Sequence, residues 1–231
     1  MKPEAPVNAN RTARRIIRVL IVDDHPVVRQ GLVGMINQEQ DLEVCGEVEG
    51  AREALAAIKA SPPDLAVVDL TLKDISGLEL IKQMRVSYAH VPVLVLSMHD
   101  EKLYAERALN AGARGFIMKQ EGAEKLVGAI RTVMRGEVYL SEVMASRLLG
   151  KFVGGRSPAE DSPLQKLSDR ELEVFELIGR GEGTRQVSER LCISVKTVES
   201  HREHIKLKLN LKNATELVQR ATQWVISEGG G

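Results

Sequence analysis

The 231-residue sequence contains only two cysteines and has no long apolar run. Cys45 and Cys192 lie far apart and no CxxC motif occurs, which argues against a disulfide framework and a structural zinc site. No stretch approaches the roughly 20 apolar residues that a transmembrane helix requires. The first fifteen residues are basic and have no apolar core, so we interpret residues 1–15 as a disordered basic tail and not as a secretion signal. These absences predict a cytoplasmic protein that does not enter a membrane.

The chain also lacks an excess of charge of either sign. Lysine and arginine total 32, and aspartate and glutamate total 32. The composition therefore does not show the strongly basic character that would by itself indicate a nucleic-acid partner. An assignment of DNA binding has to come from motifs and from their placement on helices.

Residues 16–136 alternate between short apolar runs and longer amphipathic stretches. The runs are rich in valine, isoleucine and leucine, as is typical of strands buried on both faces of a parallel sheet. They occupy residues 16–23, 42–48, 65–70, 91–97 and 115–118. Five strand–helix repeats predict an α/β domain, with a flavodoxin-like, doubly wound, five-stranded parallel sheet.

The composition changes after residue 136. Residues 137–163 predict a linker, with a short helix around 141–152 followed by a stretch rich in glycine, proline and serine. Residues 164–228 have no strand pattern and predict a separate all-α domain. Ser168 stands three residues before Glu171, which is the spacing of a capping box at the start of a helix.

Three further helices are predicted in this second domain. A short one ends near Leu191, the next spans residues 195–209, and the last spans residues 214–227. The turn between the first two of these helices is tight. Short helices joined by such a turn predict a helix-turn-helix module.

Polar side chains follow the predicted strands of the first domain. Asp23 and Asp24 end the first strand, Asp69 lies at the third, Ser97 ends the fourth and Lys119 follows the fifth. Ligands of open α/β sheets bind at this edge. Carboxylates held together repel unless a cation joins them, and oxygen ligands suit Mg²⁺. The pattern predicts a pocket for Mg²⁺ and for a phosphoryl group on Asp69. For the aspartate pair alone, a helix N-cap is the simpler alternative.

Four segments of this domain resemble the signature segments of a response-regulator receiver domain: VLIVDDHPVVRQGL, VVDLTLKDISGLEL, VLVLSMHD and GARGFIMK. The resemblance implies that Asp69 is the phosphoacceptor and attacks a phosphohistidine of a partner histidine kinase. It also implies that Asp24, Asp69 and the backbone carbonyl of Thr71 hold Mg²⁺, with Asp23 acting through a water molecule.

The same resemblance implies roles for three further residues. Lys119 would pair with a phosphoryl oxygen, Ser97 would turn toward the new phosphoryl group, and Phe116 would follow as the aromatic switch residue. For Phe116, packing of an aromatic side chain in the core is the alternative interpretation. A phosphoryl group on Asp69 carries close to two negative charges in place of the single charge of the carboxylate, and this local change in charge is what would trigger such a switch.

The third helix of the second domain has an apolar stripe with a polar face opposite to it. Val198, Ile205 and Leu209 form the stripe. A compact polar face of this kind can enter a major groove, although a solvated helix of mixed charge has the same pattern. The residues predicted to contact DNA are Lys196, Thr197, Glu199, Ser200, Arg202, Glu203 and Lys206, with Lys208 as a further phosphate contact.

Residues 167–212 resemble the LuxR-type helix-turn-helix. By that resemblance Glu199, Ser200 and Glu203 occupy base-facing positions, and the last helix supplies a dimer interface. The residues predicted for that interface are Leu217, Val218, Ala221 and Trp224, although burial within their own domain explains part of the same apolar face. His201 and His204 do not predict a metal site, because no third ligand accompanies them.

Together, the two resemblances are those of a NarL/FixJ-type response regulator. They imply a transcription factor and not an enzyme, in which phosphorylation controls dimerisation and binding to promoter DNA. A hydrolase working through an aspartyl-phosphate would need an acid two residues after Asp69, where Thr71 stands. A DNA-binding regulator that does not depend on phosphorylation would keep this fold without a working pocket, and it stays open as the alternative.

Overall fold

The first half of the chain folds into a parallel sheet. The structure, a computed structural model, describes residues 15–152 and 162–229. The predicted basic tail, apart from Arg15, and residues 153–161 of the predicted linker lie outside the described residues. The strands are β1 (Ile17–Val22), β2 (Leu42–Val48), β3 (Leu65–Val68), β4 (Val93–Ser97) and β5 (Gly115–Met118).

The strands pair in parallel in the order β2-β1-β3-β4-β5. This is the flavodoxin-like order, and the predicted doubly wound sheet is confirmed. Because β1 and β3 are neighbours, the residues that follow them meet at one edge, where the Asp69 N–H donates to the Val22 carbonyl at 2.8 Å. β3 is shorter than its predicted apolar run, since the chain leaves the sheet at Asp69.

Helices cover both faces of the sheet. They are α1 (Pro26–Asn37), α2 (Ala51–Ala60), α3 (Gly77–Ser87), α4 (Glu101–Ala111) and α5 (Ala123–Met134). Successive side chains of a strand point to opposite faces. Accordingly, Val19 and Ile21 pack with α1 and α5, whereas Leu20 and Val22 pack with α2, α3 and α4.

The second half is all-α, as predicted. It contains α6 (Glu142–Phe152), a 3₁₀ helix (Pro163–Lys166), α7 (Asp169–Gly179), α8 (Thr184–Arg190), α9 (Val195–Leu209) and α10 (Ala214–Gly229). Within the described ranges, no helix has both the length and the apolar character that crossing a bilayer requires.

The predicted capping box at the start of α7 is present. The Ser168 hydroxyl accepts from the Glu171 N–H at 3.3 Å, and the Glu171 carboxylate accepts from the Ser168 N–H at 2.7 Å. Each bond satisfies an amide that the first turn of a helix leaves without a partner. Local sequence therefore sets where α7 begins.

Candidate functional site

Three carboxylates and one imidazole meet at the carboxyl ends of β1 and β3. One ligand atom from each of Asp23, Asp24, His25 and Asp69 lies within 4.8 Å of the others. Asp23 and Asp69 are buried, with 2% and 4% of their surface exposed. Buried carboxylates this close repel each other unless positive charge compensates. The sheet order thus builds the acidic pocket that the sequence predicts.

Lys119 supplies one compensating charge. Its Nζ lies 2.6 Å from Asp23 Oδ2 and 2.7 Å from Asp69 Oδ2. Burial acts to lower the pKa of Lys119, but the carboxylates of Asp69 and Asp23 outweigh it and the pKa is raised. The side chain therefore remains an ammonium ion. Burial raises the pKa of Asp69, and Lys119 opposes that shift.

The carboxylates outnumber the ammonium group, and one oxygen is left without a donor. Asp24 Oδ1 is buried and accepts no hydrogen bond within the described part of the chain, although His25 Nδ1 lies 2.7 Å away. The backbone N–H of His25 donates to Asp23 Oδ1 at 2.8 Å. An unsatisfied carboxylate oxygen beside two further carboxylates fits the oxygen-ligand preference of Mg²⁺.

Ser97 ends β4, and its side chain is fully buried. Its hydroxyl accepts the His99 N–H at 3.1 Å, while its carbonyl accepts the Lys119 N–H at 2.8 Å. Thr71, two residues beyond Asp69, places its hydroxyl 3.0 Å from His99 Nε2. The loops after β3 and β4 are therefore joined through His99.

Phe116 lies in β5 with none of its surface exposed, among the buried residues that face α2, α3 and α4. An inward aromatic ring is what both interpretations from sequence expect. The buried position of the Phe116 ring therefore does not distinguish a switch residue from a residue that only packs in the core.

Gly77, at the start of α3, closes the loop that follows Asp69. Its N–H donates to the Leu70 carbonyl at 2.8 Å. A Cβ at this position would lie 2.1 Å from the Asp69 carbonyl oxygen, closer than any side chain can approach. The sequence reasoning did not identify this requirement, which depends on a contact made only after α3 folds back on β3.

The polar face of α9 is exposed. Ser194 caps the helix and accepts the Thr197 N–H at 3.0 Å, and fully buried Val198 and Ile205 orient it. The exposed predicted contacts are Lys196, Thr197, Glu199, Ser200 and Glu203, whereas Arg202 and Lys206 are partly buried. Lys206 lies 2.9 Å from Glu203, and so reduces the negative charge at the middle of this face.

Lys208 has a structural partner within its own domain. Its Nζ donates to Glu171 at 2.6 Å and so ties α9 to α7. Burial acts to raise the pKa of Glu171, but the hydrogen bonds from Lys208 and Ser168 outweigh it and the pKa is lowered. Lys208 therefore orients the helix in addition to any contact with phosphate.

The apolar face of α10 mostly packs within its own domain. Leu217 and Ala221 are completely buried, and the Trp224 ring lies 5.7 Å from that of Phe175. Val218 is 42% exposed and Ile226, which the sequence reasoning did not select, is 68% exposed. Of the four residues predicted for a dimer interface, Val218 has the largest exposed fraction.

The α/β half contacts the all-α half through ion pairs that no sequence pattern indicated. Arg107 on α4 donates to Asp169 at 2.9 Å, and Lys82 on α3 donates to the same carboxylate at 2.7 Å. Burial acts to raise the pKa of Asp169, but Lys82 and Arg107 outweigh it and the pKa is lowered. These contacts involve α7 and leave the polar face of α9 exposed.

Comparisons with known proteins agree with both halves. Residues 19–131 match the model of the response regulator receiver domain, and residues 165–221 match that of the bacterial regulatory proteins of the luxR family. The chain is 37% identical over 209 residues to the oxygen regulatory protein NreC of Staphylococcus carnosus, covering 89% of this chain and 96% of that protein. NreC of Staphylococcus aureus is also 37% identical, with the same coverage.

Solved structures resemble the chain over most or part of its length. RcsB from Salmonella enterica serovar Typhimurium, bound to a promoter in the presence of BeF₃⁻, is 26% identical with a TM-score of 0.68, covering 90% of this chain and 98% of that chain. A LuxR-family response regulator from Aurantimonas is 31% identical with a TM-score of 0.56, covering 60% of this chain and 99% of that one. The chain belongs to the NarL/FixJ family of two-component response regulators, which join a receiver domain to a LuxR-type helix-turn-helix domain.

Proposed function

We propose that this protein is phosphorylated on Asp69 by a sensor histidine kinase and that the modification controls dimerisation and binding to promoter DNA. The observation that carries the proposal is the position of Lys119, whose ammonium bridges the buried carboxylates of Asp69 and Asp23. A structural ion pair needs only one carboxylate, whereas this arrangement leaves negative charge and an unsatisfied oxygen of Asp24 at the sheet edge.

In the proposed reaction, a carboxylate oxygen of Asp69 attacks the phosphorus of a phosphohistidine. The new O–P bond forms as the N–P bond breaks, and the departing imidazole takes up a proton. Lys119 pairs with a phosphoryl oxygen and stabilises the added charge. Mg²⁺, held by Asp24, Asp69 and the Thr71 carbonyl with Asp23 acting through water, would supply charge neutralisation between carboxylates and phosphoryl oxygens.

Residues around the pocket then change position in response to the phosphoryl group. Ser97 turns its hydroxyl toward a phosphoryl oxygen, and Phe116 moves into the space that this leaves. Both side chains are fully buried, so a small displacement has to be accommodated by neighbouring elements. The loop after β4 and helix α4 are the elements next to Ser97 in the chain.

For DNA, we propose that α9 enters the major groove. Glu199, Ser200 and Glu203 face the base edges, where glutamate accepts from cytosine N4. Lys196 and Arg202 contact phosphates. The glutamates repel the DNA backbone, so useful affinity requires two copies of the domain, and we propose that exposed parts of α10 at Val218 and Trp224 join them. RcsB, which resembles this chain over both halves, has been solved bound to promoter DNA, and this supports promoter DNA as the partner.

The test is the intact-protein mass after incubation with Mg²⁺ and acetyl phosphate. The native chain should gain one phosphoryl group, and Asp69→Asn, which keeps the shape of the side chain, should gain none. The same samples are then compared in a DNA-binding assay. If the native chain gains no phosphoryl group and beryllofluoride changes neither its oligomeric state nor its DNA affinity, the phosphorylation-independent regulator is the correct interpretation.

A further inference from the structure

His99 lies two residues after Ser97 and is held by both loops that flank the phosphoacceptor. Its backbone N–H donates to the Ser97 hydroxyl at 3.1 Å, and its ring Nε2 lies 3.0 Å from the Thr71 hydroxyl. Only 14% of the side chain is exposed. Each of the two anchors belongs to a residue with a part in the proposed chemistry: Ser97 turns toward the phosphoryl group, and the Thr71 carbonyl holds Mg²⁺.

The His99 ring also lies next to Tyr104 of α4 and to Glu176 of the DNA-binding half. The ring packs on Tyr104 with centroids 4.6 Å apart, and Nε2 lies 4.0 Å from Glu176 Oε1 on α7. The Tyr104 hydroxyl donates to Glu176 Oε2 at 3.2 Å. Burial raises the pKa of Tyr104 well above its ordinary value and Glu176 acts in the same direction, so the hydroxyl stays protonated and remains a donor.

We propose that His99 is a positioning residue that transmits the state of Asp69 to α7 of the DNA-binding domain. This inference rests on the proposed function. When Ser97 turns toward a phosphoryl group, its oxygen moves away from the His99 N–H. The Thr71 carbonyl would help to hold Mg²⁺, and a shift of this residue would move the hydroxyl that anchors the ring. The ring then loses the position from which it packs against Tyr104, and the Tyr104–Glu176 contact between the two halves weakens.

The exposure of α9 favours this route over one in which the receiver covers the DNA-reading surface. Lys196, Glu199 and Ser200 are already exposed while the two halves are in contact. What the contact restrains is the placement of α7, and with it the placement of the whole DNA-binding domain. Freeing α7 allows that domain to pair with the same domain of a second copy.

The experiment measures the distance between spin labels placed on the two halves, with and without beryllofluoride and Mg²⁺. Labels are attached at Lys59→Cys and Gln219→Cys, both exposed positions, in a chain carrying Cys45→Ser and Cys192→Ser. In otherwise native protein, beryllofluoride should shift the distribution toward longer distances. His90→Ala, which removes an exposed histidine of the same domain, is the matched control and should respond in the same way.

For His99→Ala we expect the ratio of open to closed molecules without beryllofluoride to rise about tenfold, as the loss of one buried hydrogen bond and one ring contact allows. Beryllofluoride should then change that ratio less than about twofold, because alanine keeps the backbone N–H that donates to Ser97 but lacks the ring that contacts Thr71, Tyr104 and Glu176. A role in packing alone would open the molecule and leave the response to beryllofluoride unchanged. A response equal to that of His90→Ala overturns the proposal.

Two further measurements separate the possible failures. Intact mass after acetyl phosphate treatment reports whether Asp69 is still phosphorylated in each variant. If a variant gains mass normally but its open-to-closed ratio no longer responds to beryllofluoride, the variant has lost only the coupling between Asp69 and α7. Glu176→Ala removes the residue of α7 that contacts Tyr104. Its effect on the ratio of open to closed molecules should be less than additive with that of His99→Ala. Strict additivity contradicts the proposal. If the native chain neither gains mass nor responds to beryllofluoride, the proposed function itself fails.

Discussion

Arg107 of α4 reaches across to Asp169, the first residue of α7, with its Nη1 2.9 Å from the carboxylate. Its other terminal nitrogen donates to the carbonyls of Leu164 and Leu167 at 3.1 and 2.8 Å. A single side chain thereby holds the segment that leads into the DNA-binding domain. Only 13% of Arg107 is exposed, so solvent screens the pair weakly.

Replacing Arg107 with alanine should open the contact between the two halves. The change removes one hydrogen bond to a charged partner, Asp169, which is worth about 1.5–3 kcal/mol, and the bonds to the carbonyls of Leu164 and Leu167. Distances between labels on the two halves should lengthen without beryllofluoride, and Arg85→Ala, an exposed arginine of α3, should leave them unchanged. An Arg107→Ala distribution identical to the native one would show that the pair does not hold the halves together.

Replacing Gly77 with alanine should strongly destabilise the receiver domain. The added Cβ would meet the Asp69 carbonyl oxygen at 2.1 Å, so backbone must shift, and overpacking of this kind costs about 1–3 kcal/mol or more. Urea unfolding measures the loss. Gly34→Ala is the matched control, since nothing lies within 4 Å of its Cβ and alanine favours the α1 helix. That variant should be as stable as the native chain or slightly more stable.

The stability of the DNA-binding domain should fall in acid because of Glu171. Its folded-state pKa lies below the ordinary value of 4.5, so the stabilisation is complete above about pH 4.5 and is lost as the pH falls through the folded value. Thermal unfolding at several pH values measures this dependence. Glu171→Gln should flatten it and lower stability at neutral pH, whereas Glu199→Gln, an exposed change, should leave the profile as it is. An unchanged profile in Glu171→Gln would contradict the role given to this carboxylate.

DNA binding should depend on salt in a way that identifies the phosphate contacts. Lys196→Ala should weaken binding to all sequences and reduce the slope of log affinity against log salt by about 0.9. Lys59→Ala, on the receiver domain, serves as the control and should not change the slope. Glu199→Gln should raise affinity for non-specific DNA, because a charge that repels phosphate is removed. Equal slopes for Lys196→Ala and the native chain would exclude Lys196 from the interface.

The fold and most of the acidic pocket could be predicted from the sequence because both depend on local patterns. Apolar runs with valine and isoleucine define the strands, and parallel strands bring their carboxyl ends to one edge. Asp23 and Asp69 therefore had to meet once β1 and β3 became neighbours. The start of α7 was equally predictable, since a capping box needs only Ser168 and Glu171 three residues apart.

The sequence predicts that α10 has an apolar face, but it does not predict which surface packs against that face. The apolar face of α10 is visible in the sequence, but the pattern does not say whether that face packs on α7 or on a second molecule. The structure shows Leu217 and Ala221 completely buried within their own domain, and it leaves Val218 and Ile226 exposed. A periodic pattern identifies a face and does not identify what covers it.

The sequence by itself determined the two domain types, most residues of the acidic pocket and the helix that carries an exposed polar face. Only the tertiary structure decided that Gly77 must be glycine, that Arg107 pairs with Asp169, and that His99 lies between Ser97 and the Tyr104–Glu176 contact. The physical reason is the separation of these partners along the chain. Contacts between distant residues leave no periodic signal, and they arise only when helices pack at a particular distance and angle.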